Sequence, residues 1–343
     1  MPDELDIENP QALEDYLRHT GRLSRRERMT SRILAGGVSN RAVWVDLPDR
    51  NEAWVLKQAL PKLRVAVDWF SDPARIRREA LGILWLARLA PPGCVTPLVF
   101  EDAAHHLLAM HAVPQPHENW KSMLMAGRIE PGHVEQFAAL LAAIHRNSAE
   151  SDDALAEIFG DRSFFESLRL EPYYAYAAEQ VPAAATFLKE LIADTRLRRL
   201  ALVHGDYSPK NILVHESRLV LLDHEVIHWG DPAFDLGFAL AHFLSKAHRF
   251  PEWRDQFIQA ALQFRAVYAS AVGPTHWGAG LESFATRHTL GCLLARVAGR
   301  SPLEYLDRTC QSRQRDTVVA MMDRPPAGIE EMARSFAQGI ACR

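Results

Sequence analysis

The chain has 343 residues, 48% of them hydrophobic and 24% charged, which is typical of a folded globular protein and excludes a disordered or coiled-coil chain. A chain of this length favours two lobes or domains over one small core. The formal net charge of -4 disfavours nucleic acid as a partner, because nucleic-acid binding needs a basic surface. The longest apolar runs, such as 137–144, are far shorter than the roughly 18 residues of a membrane span, so no membrane association is expected.

The four cysteines lie far apart and form no CxxC motif. This spacing disfavours a disulfide framework or a zinc site and fits a reducing compartment. The first ten residues are acidic and polar, so they do not predict a secretory signal. We therefore expect a cytoplasmic protein.

A short helix followed by two strands is predicted near the start of the chain. Asn9 can cap the helix, Pro10 suits its first position and Gly21 ends it. Residues 43–45 and 53–57 then have the composition of two strands joined by a turn.

Two charged residues are predicted to face the interior of this region. Lys57 shares a strand face with Ala53 and Val55, because side chains alternate across a strand. A lysine on such a face needs an anionic partner or a route to water. The helix predicted to start at Asp72–Pro73 carries Glu79 on or beside its apolar stripe.

The character of the sequence changes near residues 110–114. Two more strands are predicted at 95–100 and 106–110, and long helical patterns follow Pro114. We therefore predict a small β-rich N-terminal lobe over 1–112 and a larger, mainly helical lobe over 113–343. The helical patterns cover 133–146, 183–200, 234–248 and 253–271.

The strongest chemical signal lies in residues 202–214. An apolar strand leads into His204-Gly205-Asp206, and Asn211 follows five residues after the aspartate. A later apolar run ends in Asp223, so a hairpin-like pair of strands would present Asp206, Asn211 and Asp223 near one end. Three oxygen-bearing side chains placed together suit a hard cation such as Mg²⁺ and phosphate oxygens.

This arrangement is the one that phosphoryl transfer requires. One carboxylate accepts the proton of an attacking hydroxyl, while a second carboxylate and an amide oxygen hold a metal that bridges the nucleotide phosphates. The D-x-x-x-x-N spacing matches the catalytic loop of protein kinases, with His-Gly-Asp in place of His-Arg-Asp. Simpler interpretations stay open: Asp206 as a turn residue, Asp223 as a strand-end cap, Lys57 as an edge lysine and Glu79 in a surface ion pair.

The sequence resembles the aminoglycoside phosphotransferase and choline-kinase-like group, which are small-molecule kinases with the protein-kinase architecture. The resemblance implies an α+β, protein-kinase-like two-lobe fold with ATP and Mg²⁺ as cofactors. The segments that carry it are 204–211, 222–225 and 230–237, with weaker matches at 36–40, Lys57 and Glu79.

The resemblance also implies roles for individual residues. Asp206 would be the catalytic base, and Asn211 and Asp223 would bind Mg²⁺. Glu225 could be a further metal ligand or a structural acceptor. Lys57 would contact the α- and β-phosphates.

The same resemblance implies that Glu79 would hold Lys57 in place. A loop would cover the phosphates and a hinge over 108–113 would meet the adenine. The loop residues are Gly36, Gly37, Ser39 and Asn40, and the hinge includes Met110 and Ala112.

The acceptor is expected to be a small molecule with a hydroxyl group. No Ala-Pro-Glu and no activation loop lie between Asp223 and Asp235, which disfavours a protein substrate. The segment 169–174, His288 and Arg296 could line the acceptor site. Residues 304–343 contain six acidic residues and six arginines, so no acidic wall for a polycationic antibiotic is visible.

Sugars, amino alcohols, hydroxy amino acids and antibiotics all remain open as acceptors. The alternative functions are a nucleotide-binding regulatory pseudokinase and a protein kinase. A pseudokinase would be expected to lack the lysine, the aspartate or the asparagine, and all three are present here.

Overall fold

The N-terminal part of the chain is built on an antiparallel sheet. The computed structural model describes residues 5–35, 37–64, 68–151, 154–275, 278 and 280–341. Its first elements are α1 (Pro10–His19), β1 (Thr30–Ile33), β2 (Asn40–Leu47), β3 (Glu52–Ala59), α2 (Arg75–Leu89), β4 (Leu98–Asp102) and β5 (Leu107–His111). Within the described ranges these strands form a five-stranded sheet of order β1-β2-β3-β5-β4.

Helix α1 begins as the sequence predicts. The side chain of Asn9 accepts hydrogen bonds from two N–H groups of the first turn, and Pro10 occupies the first helical position. Gly21 adopts a φ of 71°, a conformation that ends the segment without the strain a side chain would bring. Leu13 and Leu17 then pack against one face of the sheet.

The pairing of β2 with β3 decides which side chains face α2. Lys57 lies opposite Ala42, and Val55 lies opposite Trp44. Val55 packs in the small core between the sheet and α2, so strand alternation directs Lys57 to the same side. The predicted inward position of Lys57 follows from this register.

Helix α2 begins at Arg75, two residues after the predicted first position, Pro73. The Asp72 side chain accepts a hydrogen bond from Ala74 N–H at 2.8 Å. The carbonyl groups of Asp72 and Pro73 accept from Arg75 and Ile76 at 3.2 and 3.1 Å. These i to i+3 bonds make a tight turn before the regular helix, which explains the difference.

The larger part of the chain is mainly helical, in agreement with the expected α+β fold. Four predicted long helices are present as α4, α8, α9 and α10, each with ends shifted by only a few residues. The elements are β6 (Glu118–Asn119), α3 (Trp120–Met125), α4 (Pro131–Ala149), α5 (Ala154–Ile158), α6 (Ser163–Phe165), a π-helix (Glu166–Ala175), α7 (Tyr176–Gln180), α8 (Ala185–Leu197), β7 (Ala201–Val203), β8 (Ile212–His215), β9 (Arg218–Leu221), β10 (His228–Gly230), α9 (Pro232–Arg249), α10 (Arg254–Val272), α11 (Leu281–Ala298), α12 (Arg308–Asp323) and α13 (Ile329–Ile340).

Helix α9 is the centre of this part, since its residues from Pro232 to His248 are buried. It packs against α10 and α11, with α13 also in contact. In the described ranges, no helix combines the length and apolar character needed to cross a membrane. The last strand of the N-terminal sheet ends at His111, and the division into lobes at 112 and 113 stays a prediction.

The loop with the His-Gly-Asp motif lies between two small sheets. Strand β7, which precedes the motif, pairs with β10. The hairpin is formed by β8 and β9, with Ile212 opposite Leu221. Asn211 directly precedes β8 and Asp223 follows β9, so the hairpin brings both to one end, as the sequence predicts.

Candidate active site

Lys57 lies between two carboxylates at the junction of the sheet and the helical part. Its Nζ is 2.6 Å from Glu79 Oε1 and 3.0 Å from Asp223 Oδ1. Burial alone would lower the pKa of Lys57, but the charges of Asp223 and Glu79 outweigh it and raise that pKa. Burial raises the pKa of Glu79, whereas Lys57 and Lys210 hold the pKa of Asp223 below its ordinary value despite burial.

The backbone at Asp223 is in the left-handed region, with φ at 68°. This conformation is uncommon for a residue other than glycine and turns the chain sharply after β9. A hydrogen bond of 2.9 Å from Leu222 N–H to the Asn211 carbonyl joins the two ends of the hairpin. Asp223 and Asn211 are therefore held close to each other by backbone geometry.

Asp206 is buried and surrounded by polar partners. Its Oδ2 is 3.0 Å from Arg169 Nη2 and 3.6 Å from Lys210 Nζ. Asn211 Nδ2 donates to the same oxygen at 2.8 Å and to the Asp206 carbonyl at 2.9 Å. Burial alone would raise the pKa of Asp206, but Arg169 and then Lys210 lower it, so the carboxylate is ionised at neutral pH.

Asp235 supports the loop that carries Asp206. Its two carboxylate oxygens accept from the N–H groups of His204 at 2.7 Å and Gly205 at 2.8 Å. His145 Nε2 lies 3.2 Å from the same carboxylate. The first turn of α9 thus braces the loop through Asp235.

Steric constraints explain why the middle residue of the motif, Gly205, is a glycine. Gly205 has a φ of 77°, and a Cβ added there would lie 2.9 Å from Val226 Cγ2 and 3.0 Å from Val226 O. A side chain would be strained and would also collide with the backbone of residue 226. The packing of this loop therefore requires glycine at the middle position of the motif.

Two buried histidines connect the loops of Asp206 and Asp223. The Asp206 N–H donates to His204 Nδ1 at 3.2 Å, which makes that nitrogen an acceptor. Burial lowers the pKa of both His204 and His224, so both rings are neutral. His204 therefore carries its proton on Nε2 and donates to His224 Nδ1 at 3.2 Å.

Glu225 is tied to the N-terminal sheet. Its Oε2 accepts from Arg75 Nε at 3.1 Å and from Asn40 Nδ2 at 3.3 Å. Arg75 is fully buried and also donates to the carbonyl groups of Ser39 and Leu60. The structure thus gives Glu225 the contacts of a structural acceptor, and its role toward a metal stays a prediction.

Arg75 is a residue that the sequence reasoning missed. It stands four residues before Glu79, so a helical period places the two on one face of α2. That spacing was the available signal. Its partners Ser39 and Glu225 are distant in sequence and could not be recognised without the fold.

The predicted phosphate loop joins β1 to β2. Ser39 and Asn40 are buried there, and a Cβ on Gly37 would lie 3.2 Å from the Asn40 carbonyl. Arg75 fixes the end of this loop through the Ser39 carbonyl. Gly36, the remaining predicted loop residue, lies outside the described residues.

The predicted adenine hinge, 108–113, comprises most of β5 and the two residues after it. The Ala112 N–H donates to the Ala53 carbonyl at 2.8 Å, so this group is used within the sheet. Met110 lies opposite Val55 in the core beside α2. Ala53 and the chain after β5 line one side of a pocket.

Two further residues of this pocket were not anticipated. Trp44 and Asp46 line it together with Ala53 and Val113. Trp44 Nε1 donates to Asp46 Oδ1 at 2.8 Å, and the ring of Trp44 lies 6.2 Å from that of His117. Alternation along β2 places Trp44 and Asp46 on one face, and Trp44 lies opposite Val55. This alternation was the signal that could have identified the two residues.

A model of the family described as "Phosphotransferase enzyme family" matches residues 30–272. The chain belongs to this family. The match covers the sheet, the Lys57 network and the Asp206 loop. The resemblance inferred from the motifs is thereby confirmed.

Curated relatives of this phosphotransferase-family protein include two methylthioribose kinases. The enzyme of Pectobacterium atrosepticum is 29% identical over 220 residues, which cover 55% of this chain and 53% of the relative. The enzyme of Yersinia enterocolitica is also 29% identical over 220 residues, which cover 55% of this chain and 53% of that relative. The chain spans about half the length of these relatives.

Solved structures of low sequence identity share the fold. Macrolide 2'-phosphotransferase from Brachybacterium faecium has a TM-score of 0.53 at 17% identity, covering 93% of this chain and 100% of that one. Ethanolamine kinase from Plasmodium vivax has a TM-score of 0.55 at 12% identity, with 91% and 89% covered. An amicoumacin kinase in complex with AMP-PNP and Ca²⁺ has a TM-score of 0.55 at 13% identity, with 89% and 91% covered.

The oxygen atoms beside Lys57 have the character of a site for a hard cation. Asn211 uses its amide nitrogen on Asp206, which leaves its side-chain oxygen as the free ligand atom. Among the described residues, two buried acceptors have no hydrogen-bond partner: Glu79 Oε2, beside Lys57, and Asn40 Oδ1, on the side chain that contacts Glu225. In the described ranges, no group of three His, Cys, Asp or Glu residues is arranged as a metal site.

The candidate acceptor residues divide into two groups. Arg169 lies on the π-helix beside Asp206, and Arg296 Nη1 donates to the Tyr173 hydroxyl at 3.0 Å. His288 is buried among helices, where the Tyr174 hydroxyl is 2.9 Å from its Nδ1. The structure therefore brings Arg296 toward Arg169 and keeps His288 in the helical core.

Proposed function

We propose that this protein is a kinase that transfers the γ-phosphoryl group of ATP to a hydroxyl of a small molecule. The observation that carries the proposal is one connected network. Asn211 donates a hydrogen bond to Asp206 and accepts one at its carbonyl from Leu222, the residue before Asp223. Asp223 in turn forms an ion pair with Lys57. Each group that phosphoryl transfer needs is present in this network.

The nucleotide phosphates would bind beside Lys57 and under the loop that ends in Ser39 and Asn40. Asp223 and the Asn211 side-chain oxygen would hold Mg²⁺, which neutralises charge on the phosphates when bound. Lys57 supplies a fixed positive charge, because Glu79 restrains its Nζ from the other side. AMP-PNP and Ca²⁺ in the amicoumacin kinase support a nucleotide and a divalent cation as cofactors.

The acceptor hydroxyl would lie beside Asp206. This carboxylate is ionised at neutral pH and can take the hydroxyl proton as the phosphoryl group moves. The carboxylate is oriented by Asn211 and Arg169, so little reorganisation is needed at the moment of reaction. The methylthioribose kinase relatives favour a compact polyhydroxyl compound, such as a sugar or a related metabolite, as the acceptor.

The experiment is a measurement of Mg²⁺-dependent ADP release with ATP across small alcohols, sugars, amino alcohols and aminoglycosides. We expect release that depends on one acceptor class and requires Asp206. Binding of ATP without ADP release for any acceptor would support the regulatory alternative. Phosphate appearing on peptides and on no small molecule would contradict the proposal.

A further inference from the structure

Five basic side chains extend from Asp206 into the helical part of the chain. We call them the basic cluster: Lys121, Arg169, Lys210, Lys246 and Arg296. They belong to α3, the π-helix, the loop before β8, α9 and α11, so the fold and not a local run of sequence brings them together.

The end of the cluster next to Asp206 is well defined by contacts. Arg169 and Lys210 both approach Asp206 Oδ2, at 3.0 and 3.6 Å. The Arg169 guanidinium lies 5.7 Å from the centre of the Tyr173 ring. Arg296 lies 5.6 Å from the same ring and donates to its hydroxyl, so Tyr173 links the two arginines.

The far end of the cluster is arranged around Tyr305. The Nζ atoms of Lys246 and Lys121 lie 5.8 and 5.9 Å from the centre of this ring. Lys121 is paired with Glu304, whose side chain is 68% exposed. On α9, Phe238 lies about two turns and His242 about one turn before Lys246. These two rings connect this end of the cluster to Tyr173.

Lys246 is buried, and no described carboxylate forms an ion pair with it. Lys246 is 1% exposed, and its Nζ donates a hydrogen bond to the His242 carbonyl at 3.2 Å. Within the described part of the chain, no carboxylate lies within 4.0 Å of it. Burial, with Lys121 and Arg296 adding to it, lowers the pKa of Lys246 to about 7. A buried ammonium group in this setting is costly unless an anion joins it.

Other polar atoms of the same region also lack protein partners. Arg296 Nε, His242 Nε2 and the Tyr305 hydroxyl are buried and have no hydrogen-bond partner among the described residues. His242 is 7% exposed, and its pKa is lowered by burial and then by Arg296 and Lys246. These unpartnered polar atoms, of which Arg296 Nε is a donor, lie around the lysine.

We propose that the acceptor molecule carries an anionic group, a carboxylate or a phosphate, in addition to the hydroxyl that receives the phosphoryl group. This inference rests on the proposed function, because it takes the space beside Asp206 as the acceptor site. Lys246 and Arg296 bind the anionic group. Arg169 and Lys210 stay with Asp206, where the hydroxyl is placed.

The first test measures binding alone, by titration calorimetry on the full chain at 0.15 M salt. The probes are two matched sets: glycerol, D-glycerate and glycerol 3-phosphate, and glucose, gluconate and glucose 6-phosphate. We expect at least one anionic member to bind ten times more tightly than its neutral counterpart. The acid and the phosphate ester distinguish the two kinds of anion.

The variants identify the residues responsible. We expect Lys246→Met and Arg296→Met each to weaken binding of the anionic probe, relative to its neutral counterpart, by at least tenfold. Lys189→Met, at an exposed position of α8, is the matched control and should keep the advantage of the anionic probe. Three results would each overturn the proposal. The neutral probes could bind as tightly as the anionic ones or more tightly, no anionic probe could bind, or Lys246→Met could keep the full advantage of the anionic probe.

A parallel assay of ADP release separates this proposal from the proposed function. Phosphorylation of neutral compounds without preference for anionic ones would leave the kinase assignment intact and overturn the anionic acceptor. Tight binding of an anionic probe that depends on Lys246, without phosphorylation of any hydroxyl compound, would support the anion site and count against the kinase.

Discussion

Arg169 on the π-helix and Asp206 in the predicted catalytic loop form a buried ion pair, with Nη2 and Oδ2 3.0 Å apart. Arg169 Nε also donates to the Gly205 carbonyl at 2.8 Å. One side chain therefore sets both the charge and the position of the loop. π-helical segments are rare and frequently occur at functional sites, which agrees with this placement.

Replacing Arg169 by Gln should raise the pKa of Asp206, because the guanidinium is the strongest of the charges that lower it. A base with a higher pKa loses its proton only at higher pH, so the acidic limb of kcat/KM should move to higher pH. Breaking a buried pair costs about 3–5 kcal/mol, so the variant should also unfold at lower denaturant concentration.

Lys210→Gln is the control for this change. Lys210 lies farther from Asp206, at 3.6 Å, and its side chain is 53% exposed. We expect a smaller shift of the acidic limb and little loss of stability. If the two variants had the same pH profile as the wild-type protein, the assigned role of Arg169 would be wrong.

Lys57→Met should lower kcat/KM for ATP by roughly 10²–10³-fold, the range seen when one preorganised charged or polar group is removed. Glu79→Gln should have a smaller effect, because Asp223 still holds Lys57. Steady-state kinetics with varied ATP would measure both. A larger loss in Glu79→Gln than in Lys57→Met would contradict the proposed division of roles.

Gly205→Ala should reduce activity strongly, since the added methyl would meet Val226 Cγ2 and O and shift the loop of Asp206. The positive φ adds about 1–2 kcal/mol of strain. Gly21→Ala is a matched control, because Gly21 also has a positive φ of 71° but no described atom within 4 Å of an added Cβ. Both variants should lose stability, measured by urea unfolding, and only Gly205→Ala should lose kcat.

Lys246→Met should raise the Tm at pH 7 and below. The pKa of Lys246 is about 7 in the folded chain, against an ordinary value of 10.5, with Lys121, Arg296 and Glu304 as the charges around it. Below pH 7 the folded chain carries the full cost of the buried charge. Between pH 7 and 10.5 the folded state releases the proton first, so wild-type stability rises and the gain of the variant disappears.

Thermal unfolding of both proteins from pH 6 to pH 10.5 measures this difference. The expected result is a difference in Tm that is largest at pH 6 and close to zero at pH 10.5. A difference that did not vary with pH would mean that Lys246 is not a buried charge in the folded protein.

Local patterns predicted much of the fold and the centre of the site. Alternation in β3 predicted that Lys57 faces inward, and the cap formed by Asn9 predicted the start of α1. The spacing between Asp206 and Asn211, with a strand ending before Asp223, predicted the loop and hairpin. Each of these features depends on residues that are close together in sequence.

The features that were not predicted depend on distant contacts. Arg75 was missed, and Arg169 was expected near the acceptor but not in a pair with Asp206. Only the carboxylate partners of these arginines, Glu225 and Asp206, make their burial possible. The π-helix contains Pro172 and has no distinctive hydrophobic period. The sequence predicts the start of α2 two residues too early, because a capping aspartate before a proline fits a tight turn as well as a helix.

The measurement that tests the central claim most directly compares wild-type protein with Asp206→Asn. The two observables are kcat for phosphoryl transfer to the best acceptor and the Kd of AMP-PNP with Mg²⁺. Loss of the base should lower kcat by roughly 10²–10⁴-fold, while the Kd stays within about threefold, because Lys57 and Asp223 still hold the nucleotide. A variant that turned over at the wild-type rate would contradict the assignment of Asp206 as the base.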